Sequence, residues 1–272
     1  MNLLIFIVSG VNTLLFISII KNLLISNDRV AKNFKGQTIP IGMGMTFVFV
    51  MLVNSIFLVL AVDSNHLNLL IILIGIVTMS FIGVIDDLIG NRNSLGFKGH
   101  IKSFFNSTVT TGFLKMLLGG LVAVFISLYY SDHPLVLLVN ILLISLFTNL
   151  INLFDLRPGR AVKMSLMTAL LLFFIGVPKD LEIILISIIA FCIFYLPQDI
   201  KALSMMGDVG SNAIGVSLGI ITIISLEIHT KVIVLVALIA LHLFAEKYSI
   251  TKTIEKNQVL RYLDNIGRPD KL

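Results

Sequence analysis

The sequence predicts an all-α, polytopic integral membrane protein, and three observations lead to this fold class. Of its 272 residues, 57% are hydrophobic and only 13% are charged, whereas a soluble domain has ~45–50% apolar and ~25% charged residues. The mean hydropathy is +1.02. Apolar runs recur along the chain at roughly the 17–25 residues that a helix needs to cross a ~30 Å hydrocarbon core. Together these observations exclude a disordered chain, a disulfide scaffold and an ordinary soluble enzyme.

The apolar runs predict nine to ten transmembrane helices within a single transmembrane domain that covers residues 1–272. The first run lacks the basic start and small-residue cleavage site of a signal peptide, so we assign it as a span. The single cysteine, Cys192, lies within an apolar run, which excludes a disulfide framework and a cysteine-based zinc site. The nine runs lie near 1–20, 43–62, 67–85, 113–130, 134–154, 164–177, 181–197, 210–226 and 231–246.

Charged residues are divided unequally between the two sets of loops that nine spans create. The long loops and the C-terminal tail carry 18 of the 20 Lys and Arg, together with ten of the 15 Asp and Glu. The positive-inside rule therefore places this side in the cytoplasm and the N-terminus outside, as in a multi-pass protein of the plasma membrane. Topology and attraction to anionic lipid explain the basic charge, so we expect no nucleic-acid partner. They do not explain the acids among the bases.

Two adjacent carboxylates, Asp86 and Asp87, end the third run. The helix dipole disfavours negative charge at a helix C-terminus, so the pair needs a compensating cation or basic side chain. Such a pair can hold Mg²⁺ or accept a proton beside phosphates; a solvent-exposed pair without function is the alternative. Lys98, Lys102 and Lys115 follow, and Lys115 can either extend to the lipid headgroups or bind a phosphate.

Polar residues also line the end of the fifth run. Asn149, Asn152 and Asp155 are spaced i, i+3, i+6, which places them on one stripe of a helix. Burying such groups in an apolar span costs free energy unless they have polar partners. The partners could be a bound substrate or polar groups of neighbouring helices. Arg157 and Arg160 follow in a basic turn that could bind anionic groups bidentately.

A glycine-rich segment opens the eighth run around a lone acid, Asp208. Gly207 and Gly210 give the backbone freedom, and Ser211 and Asn212 provide donors near a helix N-terminus, where an anion or a metal-bridged phosphate binds well. The structural alternative is a helix start capped by Asp208.

These groups are predicted to converge at the cytoplasmic ends of the spans. Four acids interleaved with Lys and Arg favour Mg²⁺ with a phosphorylated substrate over an ion pathway, which would place charges at mid-span. His242 is the titratable group within the ninth run; it either packs between helices, the commoner role, or contacts substrate. The converging residues are Asp86, Asp87, Lys115, Asn149, Asn152, Asp155 and Asp208.

The chain resembles the polyprenyl-phosphate N-acetylhexosamine-1-phosphate transferases (glycosyltransferase family 4), which include phospho-N-acetylmuramoyl-pentapeptide transferase. Segment 35–44 is similar to the family's early Pro-Thr-Met-Gly-Gly segment, and Lys115 resembles its lysine in the span after the acidic pair. The likeness covers positions ~35–250 and rests on three motifs in the family's order, Asp86-Asp87, Asn149-x-x-Asn152-x-x-Asp155 and Met-Gly207-Asp208-x-Gly-Ser211.

The resemblance implies a reaction that requires Mg²⁺, or Mn²⁺ in its place. An undecaprenyl-phosphate oxygen attacks the β-phosphorus of a UDP-amino-sugar, giving a lipid-diphosphate-sugar and UMP. It implies Asp208 and Asp87 as metal ligands, although the sequence cannot separate the roles of Asp86 and Asp87, and Lys115 as the group that neutralises the transferring phosphate. The implied substrate-binding residues are Asn149, Asn152, Asp155, Arg157, Arg160, Ser211 and His242.

Departures from the family pattern leave the substrate open. Where the family commonly continues from Asp155 as Gly-x-Asp-Gly, residues 156–159 read Leu-Arg-Pro-Gly, so the second acid is missing. The family's late histidine cluster is absent too, which argues against muramoyl-pentapeptide. A catalytically inactive relative that binds the lipid carrier is therefore an alternative. A transporter is a weaker one, since no internal repeat is visible. The glycan pathway and the oligomeric state, a homodimer included, stay open.

The tail at about 250–272 is predicted to form a cytoplasmic amphipathic helix. A helix of this kind lies on the membrane surface, and a cap over the site is the alternative. Its apolar face would consist of Ile254, Val259, Leu260, Leu263 and Ile266.

Overall fold

The computed structural model describes residues 1–61, 66–90 and 109–268, and these ranges are mostly helical, with one short hairpin and the connecting turns. Within these ranges, nine long helices match the nine predicted apolar runs, and two short helices form the tail. Lys98 and Lys102 lie outside the described residues. The helices are α1 (Asn2–Ser26), α2 (Met45–Ala61), α3 (Leu67–Ile89), α4 (Thr111–Tyr129), α5 (Pro134–Phe154), α6 (Arg160–Ile175), α7 (Lys179–Ile200), α8 (Gly207–Ser225), α9 (Ile228–Lys247), α10 (Ile250–Lys256) and α11 (Gln258–Asn265).

The prediction of a helical polytopic membrane protein is confirmed in this coarse form. Within the described residues, seven helices are long and apolar enough to cross a membrane: α1, α3, α4, α5, α7, α8 and α9. The other two, α2 and α6, have 17 and 16 residues. At 1.5 Å per residue they measure about 24–26 Å, less than the ~30 Å hydrocarbon core. The number of spans and their orientation in the membrane stay predictions.

One element departs from an all-α chain. Strands β1 (Val30–Lys32) and β2 (Thr38–Pro40) pair antiparallel in the connection between α1 and α2, where we predicted a loop. The side chain of Asn33 stabilises the turn, because its oxygen accepts the backbone N–H groups of Lys35 and Gln37 at 2.9 and 3.0 Å. An asparagine oxygen in this role replaces a backbone acceptor, which favours a tight hairpin.

Helix α8 lies at the centre of the bundle, buried along most of its length and packed mainly against α3 and α5. Small residues allow this close packing. A Cβ added at Gly215 would lie 2.6 Å from the Phe147 carbonyl oxygen of α5, and one added at Gly83 of α3 would lie 2.5 Å from the Asp208 carbonyl. The packing therefore brings the first turn of α8 against the ends of α3 and α5.

Candidate active site

The polar residues converge on the first turn of α8, at one end of the helical bundle. The C-terminal ends of α3 and α5 and the N-terminal end of α4 surround this turn. The structure thus brings together Asp86, Asp87, Lys115, Asn152, Asp155 and Asp208.

Asp87 caps the N-terminus of α8. Its two carboxylate oxygens accept the backbone N–H groups of Asp208 and Val209 at 3.2 and 3.3 Å. The negative charge at the unfavourable end of α3 thereby faces the positive end of the α8 dipole. Gly207 is required for this contact, since its φ is +74° and an added Cβ would lie 2.5 Å from Asp87 Oδ2.

Asp208 is held by a lysine and an amide from two neighbouring helices. Its Oδ2 lies 2.5 Å from Lys115 Nζ of α4, and both side chains are about one-fifth exposed. The amide of Asn152, oriented so that donors face acceptors, donates to Asp208 Oδ1 at 3.1 Å and accepts from Lys115 at 2.7 Å. These two partners hold the Asp208 carboxylate at the edge of the bundle, where it can also bind a ligand.

Asp86 faces the carboxyl group of Asp208 and the hydroxyl of Thr111. Two carboxyl groups in contact repel each other when both are ionised, so a proton or a cation between them is favoured. Lys115 lies beside the pair and supplies one positive charge. The cluster therefore has more negative than positive charge, and a divalent cation would balance it.

Asp155 lies just past the end of α5 and accepts a hydrogen bond from the backbone N–H of Gly207. Burial raises the pKa of its carboxyl well above the ordinary value of 3.8, and the negative charges of Asp199, Asp208 and Asp87 raise the pKa further. The protonated form is thus favoured in the folded protein.

This shift predicts a pH-dependent gain in stability for Asp155→Asn, which keeps an acceptor for Gly207 but cannot ionise. Because the folded pKa is raised, the contribution of Asp155 to stability is fully present below its ordinary pKa and is lost as pH rises through the folded pKa. We expect the melting temperature of the variant, minus that of the wild type, to increase from pH ~5 to ~8. Thermal denaturation in one detergent measures this difference, and a difference that is constant or falls with pH would contradict the assignment.

The segment from the end of β2 to Gly44 supports the loop that leads into α8. Met205 N–H donates to the Pro40 carbonyl at 2.9 Å, and Met43 and Gly44 donate to the carbonyls of Met205 and Met206 at 3.0 and 2.8 Å. A Cβ at Gly44 would overlap the backbone of Gly210. The early glycine segment, noted in the sequence only as a likeness, thus packs against the start of α8, the helix that carries Asp208.

Several predicted substrate-binding residues lie apart from the cluster. Asn149 is exposed one turn before Asn152. Ser211 is fully buried, with no hydrogen-bond partner for its hydroxyl among the described residues. His242 lies on α9, where its Nδ1 is 2.8 Å from the Leu238 carbonyl oxygen. Their roles in binding stay predictions.

The two predicted arginines contact the C-terminal tail. Arg157 Nη2 lies 3.8 Å from Glu255, and the Arg160 guanidinium is hydrogen-bonded to Asp264 and Thr251. Arg160 is buried, with 6% of its surface exposed. Its donors at Nε, Nη1 and Nη2 are therefore engaged by the protein, which is not the arrangement of an open diphosphate site.

Two acids with structural roles were missed by the sequence analysis. Asp199, in the last turn of α7, is buried and accepts the backbone N–H of Gly159 at 2.9 Å, which fixes the turn after Asp155. Asp264 in the tail binds Arg160. An acid at the end of an apolar helix was the available signal for Asp199, the same signal that identified Asp86 and Asp87.

The donor set of this cluster fits Mg²⁺. Carboxylate oxygens are the ligands that Mg²⁺ prefers, and it is usually bound through one or two carboxylates together with water and substrate phosphates. Among the described residues, no three Asp, Glu, His or Cys side chains converge to enclose a metal by themselves. The carboxyl groups of Asp86 and Asp208 lie next to each other in space, so they are the pair whose charge a cation would neutralise.

Comparison with known proteins finds a matching family. A family model described as glycosyl transferase family 4 matches residues 69–226, from the start of α3 to the end of α8. The match therefore contains Asp86, Asp87, Lys115, Asn152 and Asp208. Comparison with curated proteins finds no match.

Proposed function

We propose a reaction for this chain on the premise that it belongs to glycosyl transferase family 4, the polyprenyl-phosphate hexosamine-1-phosphate transferases. The chain transfers a sugar 1-phosphate from a nucleotide diphosphate sugar of the UDP-N-acetylhexosamine type to a polyprenyl phosphate such as undecaprenyl phosphate. The reaction depends on Mg²⁺ and takes place at the cytoplasmic face of the plasma membrane. The product serves cell-wall or surface-glycan synthesis.

The observation that carries the proposal is the convergence of Asp86, Asp87 and Asp208 beside Lys115 at one end of the bundle. Phosphoryl transfer needs little covalent chemistry from the protein, since catalysis consists mainly of positioning and charge neutralisation. A lysine, a group of carboxylates and a divalent cation supply that neutralisation. Their place at helix ends gives access both to a lipid phosphate and to a water-soluble nucleotide.

The contacts support a division of roles between the adjacent acids. Both oxygens of Asp87 already accept backbone N–H groups, whereas Asp86 faces Asp208 directly. Asp86 and Asp208 would therefore hold Mg²⁺, and Asp87 would fix the turn that carries Asp208. When bound, the ion neutralises diphosphate oxygens as a Lewis acid. This division differs from the sequence-based prediction of Asp208 with Asp87.

The remaining residues orient and neutralise the substrates. Lys115 contacts Asp208 and Asn152. Its positive charge would therefore stabilise the negative charge on a phosphoryl group that is transferred at this site. A lipid-phosphate oxygen forms a bond to the β-phosphorus of the nucleotide sugar, and the bond from that phosphorus to the bridging oxygen breaks. The nucleoside monophosphate leaves with the bridging oxygen, and the lipid diphosphate sugar is the other product.

A product analysis on purified protein tests this proposal. The full chain in nanodiscs is given Mg²⁺, undecaprenyl phosphate and, one at a time, a panel of nucleotide sugars, and the products are identified by mass spectrometry. We expect one sugar to yield equal amounts of nucleoside monophosphate and lipid diphosphate sugar, and none without Mg²⁺. Binding of undecaprenyl phosphate without turnover of any sugar would overturn the proposal in favour of an inactive carrier-binding relative. Nucleotide-independent substrate flux in liposomes without transfer would indicate a transporter.

A further inference from the structure

The C-terminal tail, defined as α10 and α11 with the residues to Arg268, is fixed to the body of the protein by contacts centred on Asp264. Asp264 accepts two hydrogen bonds from Arg160, both 2.8 Å long, and two from Arg268, at 2.8 and 3.1 Å. Lys163 donates to the Asp264 carbonyl at 2.7 Å. Bidentate pairing of this kind fixes both the distance and the orientation of the tail.

The inner side of the tail is closed to solvent. Arg160 and Arg268 are only 6% and 3% exposed, and Arg268 also donates to the Pro158 carbonyl at 2.7 Å. Burial alone would raise the pKa of Asp264, but the adjacent Arg160 and Arg268 guanidinium groups lower it below the ordinary value. The inner side is therefore fully engaged by polar contacts with the turn between α5 and α6.

The outer side of α11 is apolar, and none of the described residues covers it. Val259, Tyr262, Leu263 and Ile266 are each at least 50% exposed. Their spacing, i, i+3, i+4 and i+7, places them within an arc of about 100° at 100° per residue. Asp264 lies on the other side of the helix, so the tail is amphipathic with its polar side fixed to the protein. Large exposed apolar faces of this kind mark an interaction site.

The position of the tail determines what can cover this face. Only two residues separate the end of α9, a candidate span, from the start of α10. Such a link spans at most about 10 Å, so the tail starts at the level where α9 leaves the membrane. Helix α10, which precedes this face in the chain, carries the exposed bases Lys252 and Lys256, and their charge is complementary to anionic headgroups.

We propose that the outer face of α11 docks on the surface of the lipid bilayer in which the protein sits. The four apolar side chains enter the boundary between headgroups and acyl chains, as in other interfacial amphipathic helices. The inner face meanwhile holds the α5–α6 turn through Arg160. The tail is thus a strap that lies between the membrane surface and the turn next to Asp155. This inference does not depend on the proposed reaction.

The absence of tryptophan from the chain permits a direct test. Tyr262→Trp places a single fluorophore on the outer face, and the full-length variant is reconstituted in nanodiscs of phosphatidylcholine and phosphatidylglycerol. We expect blue-shifted emission that is mostly lost when the lipids carry brominated acyl chains and that dissolved iodide quenches little. Val259→Trp, on the same face, is expected to behave alike and provides a second reading if one variant folds poorly.

The matched control is Arg261→Trp, which lies about 150° around the same helix from the centre of the outer face. We expect its emission to be quenched by iodide and little affected by brominated lipid. Equal quenching of both faces by brominated lipid, or iodide quenching of Tyr262→Trp, would overturn the proposal. Protection of the outer-face fluorophores from both quenchers would also overturn it, since a second protein surface would then cover the face.

Discussion

Replacing Asp208 by asparagine is expected to lower kcat for sugar 1-phosphate transfer by a factor of about 1,000, the upper range for loss of one transition-state charge-stabilising group. Asparagine is nearly the same size but cannot form the ion pair with Lys115, 2.5 Å away. It would also leave Asp86 without the second carboxylate that a cation requires. The measurement is the initial rate of nucleoside monophosphate release at saturating substrates, with the melting temperature recorded for each protein.

The control for this variant is Asp132→Asn. Asp132 is an exposed aspartate in the connection between α4 and α5, at the end of α5 opposite Asn152. The chemical change is identical, but no contact with the cluster is altered, so we expect wild-type rates. A kcat for Asp208→Asn within a few-fold of the wild type, with the fold retained, would remove Asp208 from the active site.

Removing the acid that fixes the tail is expected to have the largest effect on stability. Asp264→Ala leaves the guanidinium groups of Arg160 and Arg268 buried without their counter-ion. Loss of one partner from a buried, hydrogen-bonded ion pair costs about 3–5 kcal/mol, because the remaining charge cannot be solvated. We expect the free energy of unfolding to fall by about 3 kcal/mol, the lower end of that range, since the tail lies at the surface and water can reach the released arginines. Denaturant titration in mixed micelles measures the change.

Glu255→Ala provides the comparison within the same tail. Glu255 pairs with Arg157 at 3.8 Å, and the two side chains are 55% and 38% exposed. Exposed pairs contribute about 0–1 kcal/mol, so this variant should unfold almost like the wild type. Equal, small losses for the two variants would show that the Asp264 pairs do not hold the tail.

The sequence places these polar residues at one end of the helices because that placement follows from local patterns. Hydropathy locates the helices, and alternation of spans places Asp86, Lys115, Asn152 and Asp208 at helix ends on the same side. In the structure Asp208 lies in contact with the other three. The tail was likewise predicted to be amphipathic, and α11 has that character, although α10 and α11 are separate helices.

Other features could not be predicted because they depend on how helices pack. The family resemblance implied Asp87 and Asp208 as metal ligands and did not separate the roles of Asp86 and Asp87. In the structure Gly83 approaches the Asp208 backbone closely, and Asp87 accepts N–H groups of α8. The basic turn suggested that Arg160 binds a diphosphate, whereas the folded tail brings Asp264 against it. Both contacts join residues more than 100 positions apart in the chain.

The sequence by itself determined the membrane class, the helices and the set of polar groups at one end of them, and its motifs pointed to the family. These properties depend on composition and on spacing within single helices, where the relevant neighbours are three or four residues away. Only the tertiary structure decided which acid caps α8, which one faces Asp208 and which arginine holds the tail. Side chains at helix ends have several partners within reach, and only the packing of glycine-lined helices around α8 selects among them.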